Sequence, residues 1–373
     1  MRTHYFLPVI IILTASYIGL HFYAARWLSA NFSMSRAAVF WLRPALLAAA
    51  FLSPFIMFTK RWHYSPLPEV FYTAGYTWMG MILLAAFVFA CSDLAVLCLR
   101  RASWFQPRLS APATVVLLAV VTAWGVYGGQ KIPGIKEITV PFKDLPPALE
   151  GFRIAQISDM HIDSGWKLRR FSGIVDRINS AKPDLVLVTG DLIDPGITCA
   201  EDLGGLIAKI KSRLGLFGSL GNHEYYHGLD RSIDCYKAFG IKLLKNDAYD
   251  FKDLRLIGLA DVHTEPLAPE DVTRLLGKYR DGKFTVLMTH QPVYYPDIAA
   301  AGDYMVFSGH THKGQIFPFH IFTRMIYRYF YALYRINNSA FYVTSGSGTW
   351  GPPLRWLAPA EIPVITLTRE VKG

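Results

Sequence analysis

The hydrophobic positions of this chain follow two regimes. Over the first third they form long apolar runs, at residues 5–28, about 37–58, about 71–99 and about 112–129. About 20 apolar residues cross a bilayer core as a helix, so each run predicts a membrane-length helix. The first run is too long for a signal-peptide core and lacks a clean cleavage signal. A buried core helix would explain any single run, but four in succession predict a transmembrane region of about four helices over residues 1–130. At Lys131 the texture changes. Residues 131–151 read as a proline-rich linker and an edge strand. From Phe152 short β-rich runs alternate with helix-length stretches. Strands are expected at 152–158, 184–190, 215–221, 254–260, 284–290, 304–309, 340–346 and 363–368, and helices at 167–180, 199–213 and 268–278. That order predicts an α/β domain over 152–373.

Charge sharpens the division. Residues 1–130 hold nine Lys and Arg against two acids, Glu69 and Asp93, and so carry +7 of the net +10. The excess belongs to the apolar third and is no argument for nucleic acid, which would need a basic face on a folded domain. Trp27, Trp41, Trp62, Trp78, Trp104 and Trp124 fall mostly near the ends of the apolar runs, as interfacial aromatics do. Asp93 reads either as a group reaching the interface or as a functional intramembrane acid. Among the four cysteines there is no CxxC and no zinc-ribbon spacing; Cys199 and Cys235 could pair in an oxidising compartment.

Metal-type side chains recur where the expected strands end. "ISDMHID" supplies Asp159 and His161, "VTGDLID" Asp191 and Asp194, "SLGNHEYY" Asn222, His223 and Glu224, "LMTHQP" His290, and "SGHTHKG" His310 and His312. In an open α/β sheet ligands gather at the carboxyl ends of strands. On an extended chain residues i and i+2 project to one side, so Asp159/His161 and His310/His312 read as two pincers, with Gly309 letting the backbone turn.

The order D-x-H, GD-x-x-D, GNH-E, H, GH-x-H resembles the calcineurin-like metallophosphoesterase family over roughly residues 150–370, and the tail from Gly346 to Leu367 resembles its membrane-associated bacterial branch. The resemblance implies two packed mixed β-sheets flanked by helices. It implies one metal held by Asp159, His161, Asp191 and His312, and a second by Asp191, Asn222, His290 and His310. It further implies a metal-activated water attacking phosphorus, with His223 assisting the leaving oxygen or the transition-state charge. Asp194 is expected to orient His223 or its loop. The mixed N/O donor set suits two divalent ions of Mn, Fe or Zn. Lys313 stands where that branch usually has glycine, and either reaches a substrate phosphate or points to water. Asp261 and His263 mark another strand end and are weaker candidates for substrate contact.

Residues 316–336 are rich in aromatics, with Arg324, Arg328 and Arg335 interspersed. They read either as domain packing or as a membrane-contacting lip beside the site. The whole reads as a multi-pass protein of a bacterial plasma membrane. It is expected to hydrolyse a phosphate ester or pyrophosphate, lipid-linked or small, with membrane lipids as partners and no nucleic acid. The alternatives are a phosphodiesterase of soluble nucleotides and a metal-dependent binding or sensor module. Loop arginines and lysines count six against five, a lean toward an extracytoplasmic catalytic domain.

Overall fold

The computed structural model describes residues 3–61, 67–102, 104, 106–194, 199 and 201–370. Trp62 and His63 lie outside them, as does Arg2. The chain forms two compact units, Met1–Tyr127 with Gly351–Trp356, and Gly128–Trp350 with Leu357–Gly373.

The first unit is built on α1 (Thr3–Asn31), α2 (Arg36–Arg61), α3 (Glu69–Leu99) and α4 (Pro107–Gln130). Four helices form, but among the described residues three stretches are long and apolar enough to cross a membrane: Arg36–Ile56, Glu69–Leu99 and Leu109–Gln130. The expectation of four spans stands at three among the described residues; the first run, residues 5–28, falls partly outside the residues whose side chains are described. Trp27 also departs from expectation. It is buried, stacked on Phe89 with ring centroids 3.9 Å apart, and it donates to Asp93 at 2.8 Å. Tyr23 donates to the other Asp93 oxygen at 2.8 Å. Trp27 and Asp93 therefore tie α1 to α3, and a buried indole finds its hydrogen-bond partner there. His21 makes a similar tie, accepting from Trp78 at 3.0 Å.

The second unit contains two six-stranded mixed sheets. One is ordered β1 (Gly134–Phe142), β12 (Glu361–Arg369), β2 (Arg153–Ile157), β3 (Leu185–Thr189), β4 (Leu216–Ser219) and β5 (Lys242–Leu243). The other is ordered β10 (Ala332–Ile336), β11 (Ser339–Val343), β9 (Tyr304–Ser308), β8 (Phe284–Met288), β7 (Leu254–Gly258) and β6 (Asp247–Asp250). β2, β3 and β4 run parallel, as do β7, β8, β9 and β11. The central strands are apolar at nearly every position because both faces are covered. Ile154, Leu185, Leu187 and Phe217 meet Leu256, Val286, Met288, Met305 and Phe307 between the sheets. Ala155, Ile157, Val186 and Val188 face outward under α5 (Gly165–Ala181), α6 (Glu201–Ile207) and α8 (Leu229–Ala238). Ile257, Leu287 and Val306 cover the opposite outer face with α9 (Pro269–Gly277) and α10 (Tyr295–Ala301).

Two expected segments differ. The helix expected at 199–213 ends at Ile207 and closes in tight turns, Lys209 N to Leu206 O and Ile210 N to Ile207 O. Gly204 and Gly205 weaken its interior. The 316–336 segment divides into α11 (Phe319–Ile326) and the edge strand β10. Cys199 and Cys235 form a disulfide with Cα atoms 5.0 Å apart.

Candidate metal centre

The loops after β2, β3, β4, β8 and β9 converge at one end of the two sheets. Cross-sheet hydrogen bonds fix that end. Gln156 donates to Ser308 O at 3.0 Å, and His290 Nδ1 donates to Thr189 O at 2.8 Å. The first two loops prolong their strands' pairing, with Asp159 N bonded to Gly190 O and His161 N to Asp191 O. The turn at 346–350 laces over them, with Ser347 N on Ser158 O and Gly348 N on Asp159 O.

The pincers converge, but not as extended chain. Asp159, His161, Asp191, His310 and His312 all have positive φ, between 48° and 70°. Such backbone is strained for non-glycine residues and concentrates at functional sites. Gly309 is needed for close approach rather than for a turn: a β-carbon there would run into Ser158 Oγ and Asp159 Oδ2. Gly190 needs both its positive φ of 86° and its bare Cα, which packs against Gly221 and His290.

Three clusters of ligand atoms result: Asp159, His161 and His312; Asp191, His290 and His310; and His161, Asp194 and His223, each within 4.8 Å. In the first, His161 Nε2 and His312 Nε2 are 3.0 Å apart, and His312 lies 3.5 Å from Asp159. In the second, His310 Nδ1 and His290 Nε2 are 3.2 Å apart. Asp191 Oδ2 sits between the two, 3.1 Å from His290 Nε2 and 3.7 Å from His161 Nε2. Imidazole nitrogens facing each other beside buried carboxylates form a donor set for cations. Asn222 Oδ1 adds a buried acceptor with no hydrogen-bond partner among the described residues, as a carbonyl ligand awaiting a cation would be. The residues fit a pair of divalent ions.

Outer partners fix the rings. Asp194 Oδ1 accepts from His161 Nδ1 at 3.0 Å and from His223 Nδ1 at 2.5 Å. It therefore turns His161 Nε2 toward the first cluster and orients His223 at the same time. Burial opposes a charge on His223, but Asp194 and Asp191 outweigh it and raise its pKa to about 9. Burial likewise opposes charge on His290, yet Asp191 holds its pKa well above the ordinary value. His310 is pushed down to about 3 by burial and by His290. Tyr226 and Trp350, both about half exposed, flank His223, with ring centroids 5.3 and 6.3 Å away.

Sequence reasoning did not foresee two supports. Glu224 is fully buried and accepts from the backbone N–H groups of Asp191, Leu192 and Gly221 at 2.8 Å each. Burial and Asp191 raise its pKa to about 7. It shapes the Asp191 loop from beneath; the E of GNHE was the available signal. The second support is a relay behind His310. His310 Nε2 donates to the Tyr327 hydroxyl at 2.7 Å, Tyr327 donates to Gln291 Oε1 at 3.4 Å, and Gln291 donates to Asp261 at 2.8 Å. Asp261, expected near substrate, lies buried at the back of this relay, while His263 is exposed. Lys313 Nζ lies over the Tyr331 ring, 4.4 Å from its centroid. Burial lowers its pKa against the pull of Glu361. The left-handed φ of 51° at Lys313 is the conformation a glycine would favour.

Fold and donor set together define a metal-dependent phosphoesterase domain. Residues 152–314 match the family model for calcineurin-like phosphoesterase. A metallophosphoesterase of Helicobacter pylori is 34% identical over 248 residues, covering 65% of this chain and 66% of that protein, just under two thirds of its length. A Campylobacter jejuni metallophosphoesterase is 32% identical, with 70% of each chain covered. A Danio rerio transmembrane protein with metallophosphoesterase domain is 28% identical, over 77% of this chain and 70% of that one. The chain belongs to the calcineurin-like phosphoesterase family, whose members use a dinuclear metal centre.

Proposed function

We propose that this protein is a membrane-anchored dimetal phosphohydrolase that cleaves a phosphate ester or pyrophosphate carried on a lipid. The observation that carries the hydrolase reading is Asp191 Oδ2 standing between two facing pairs of imidazole nitrogens. Asp159, His161, Asp191 and His312 would hold one ion, and Asp191, Asn222, His290 and His310 the other. Two divalent ions of Mn, Fe or Zn held there would supply a nucleophile at neutral pH and charge to meet the phosphoryl oxygens. His223, protonated and aimed by Asp194, gives its Nε2 proton to the leaving oxygen. Asp194 accepts from Nδ1 of that ring, fixes its orientation and balances the charge of the imidazolium.

Membrane anchoring is supported by the three span-length helices. The Cys199–Cys235 disulfide supports placing the catalytic domain on the oxidising, extracytoplasmic side, since such bonds persist there. The test is to incubate the purified, metal-loaded protein with phospholipids, lipid pyrophosphates and nucleotides. Turnover confined to lipid-borne substrates supports the reading. Turnover of nucleotides alone would favour the soluble phosphodiesterase, and metal-loaded protein inert on every phosphoester would favour a binding module.

A further inference from the structure

α11 exposes most of its apolar residues. Phe319, Ile321 and Phe322 are about half exposed, Met325 is 78% exposed and Ile326 74%. Thr323 is its buried residue, and Arg324 stands exposed among the apolar side chains, with Arg328 just beyond. His320 holds the carbonyl of Leu357 at 3.2 Å, and the Leu357 side chain is exposed as well. An exposed apolar patch of this kind marks an interaction surface.

Charge and connectivity choose the occupant. No aspartate or glutamate stands between Asp303 and Glu361, while Arg324, Arg328 and Arg335 stand exposed there. Apolar side chains interleaved with cations suit the boundary between acyl chains and anionic headgroups. The same chain carries the three span-length helices, so a bilayer is always within tether.

Both ends of α11 are fastened to the loop bearing His310 and His312. At its start, a β-carbon on Gly314 would run into the backbone of Phe319 and His320. Past its end, Tyr327 bonds His310 at 2.7 Å, and Thr311 Oγ1 donates to Phe330 O at 2.8 Å. Whatever surface α11 rests on is therefore held beside the metal centre.

We infer that α11 is an interfacial helix whose Phe322, Met325 and Ile326 enter the anionic bilayer that anchors the chain, presenting the metal centre to phosphate groups at the membrane surface. This inference rests on the membrane-anchored reading above.

The test uses the full chain in nanodiscs of phosphatidylglycerol and phosphatidylethanolamine. In a Cys91→Ser, Cys98→Ser background, Met325→Cys carries an environment-sensitive fluorophore, and Lys252→Cys, on an exposed turn, carries it as control. Acyl-brominated lipid should quench the Met325 label several-fold more than soluble iodide does, and the Lys252 label should show the reverse. A Met325 label quenched by iodide like the control, or shielded from both quenchers, overturns the inference; the second result would mean that protein covers the face. As a second arm, Met325→Glu with Ile326→Glu should lower hydrolysis of a long-chain alkyl nitrophenyl phosphate in the nanodisc by about tenfold. Hydrolysis of bis(nitrophenyl) phosphate in solution should be unchanged, and equal losses on both would also overturn the inference. Failure of the parent protein on both esters would defeat the hydrolase reading, whereas the quenching result would still decide the docking.

Discussion

The two halves of the candidate metal centre are fastened in different ways. The Asp159–His161–His312 half leans on Asp194, a carboxylate just beyond β3 that holds both His161 and His223. The Asp191–His290–His310 half is held at His290 by the Thr189 carbonyl and at His310 by Tyr327, which belongs to the segment after α11. One half is thus braced by a loop of the first sheet, and the other partly by an insert with an outward apolar face. The number of ligands says nothing of this asymmetry. It appears only in what stands behind each ring, and such outer partners tune metal affinity.

The harshest way to break the comparison is to remove the group both halves share. Asp191→Ala should lose both ions together and bring hydrolysis of a chromogenic phosphodiester to background, read by metal analysis and initial rates. Full activity in protein stripped of the metal pair would sink the two-metal reading. His223→Asn removes the proton donor while leaving each of the candidate ligands in place. It should keep both ions and slow turnover by about two to four orders of magnitude. The deficit should narrow with a leaving group that needs no proton; loss of metal instead would make His223 a ligand.

Tyr327→Phe separates the halves directly. It should weaken one ion by about 10–100-fold and leave the other as in the parent, which stepwise metal titration of the apo-protein will resolve. Equal weakening of both ions would mean that the asymmetry is only geometric. The mildest probe is the disulfide, whose Cys199 lies a few residues beyond Asp194. Opening a bond that closes a 36-residue separation should cost the domain about 2–4 kcal/mol. Thermal melts with and without reductant will show it, and an unchanged midpoint would mean the bond adds nothing to the fold.

Much of the architecture was legible from local pattern. Apolar runs such as Leu185–Thr189 and Tyr304–Ser308 read as strands because strands covered on both faces show no alternation. Asp159, His161, Asp191, His290, His310 and His312 stood out because each closes a strand-length run, and a strand end is a local property. Less legible was β10, which follows α11 inside one aromatic-rich stretch with no strong period of its own and becomes a strand by pairing with β11.

The sequence by itself determined which side chains reach the carboxyl ends of the strands, because an apolar run and the polar residues that close it are written over a few neighbouring residues. It also determined that the first third is too apolar and too poor in acids for an ordinary soluble region. Only the tertiary structure decided how those side chains meet. The left-handed backbone at Asp159, His161, Asp191, His310 and His312, the Glu224 brace under Asp191, the bond from Tyr327 to His310, and the placing of Asp261 behind the site all depend on contacts between separate segments of the chain. Such contacts are selected when two sheets close on a shared core, and no local periodicity carries that information.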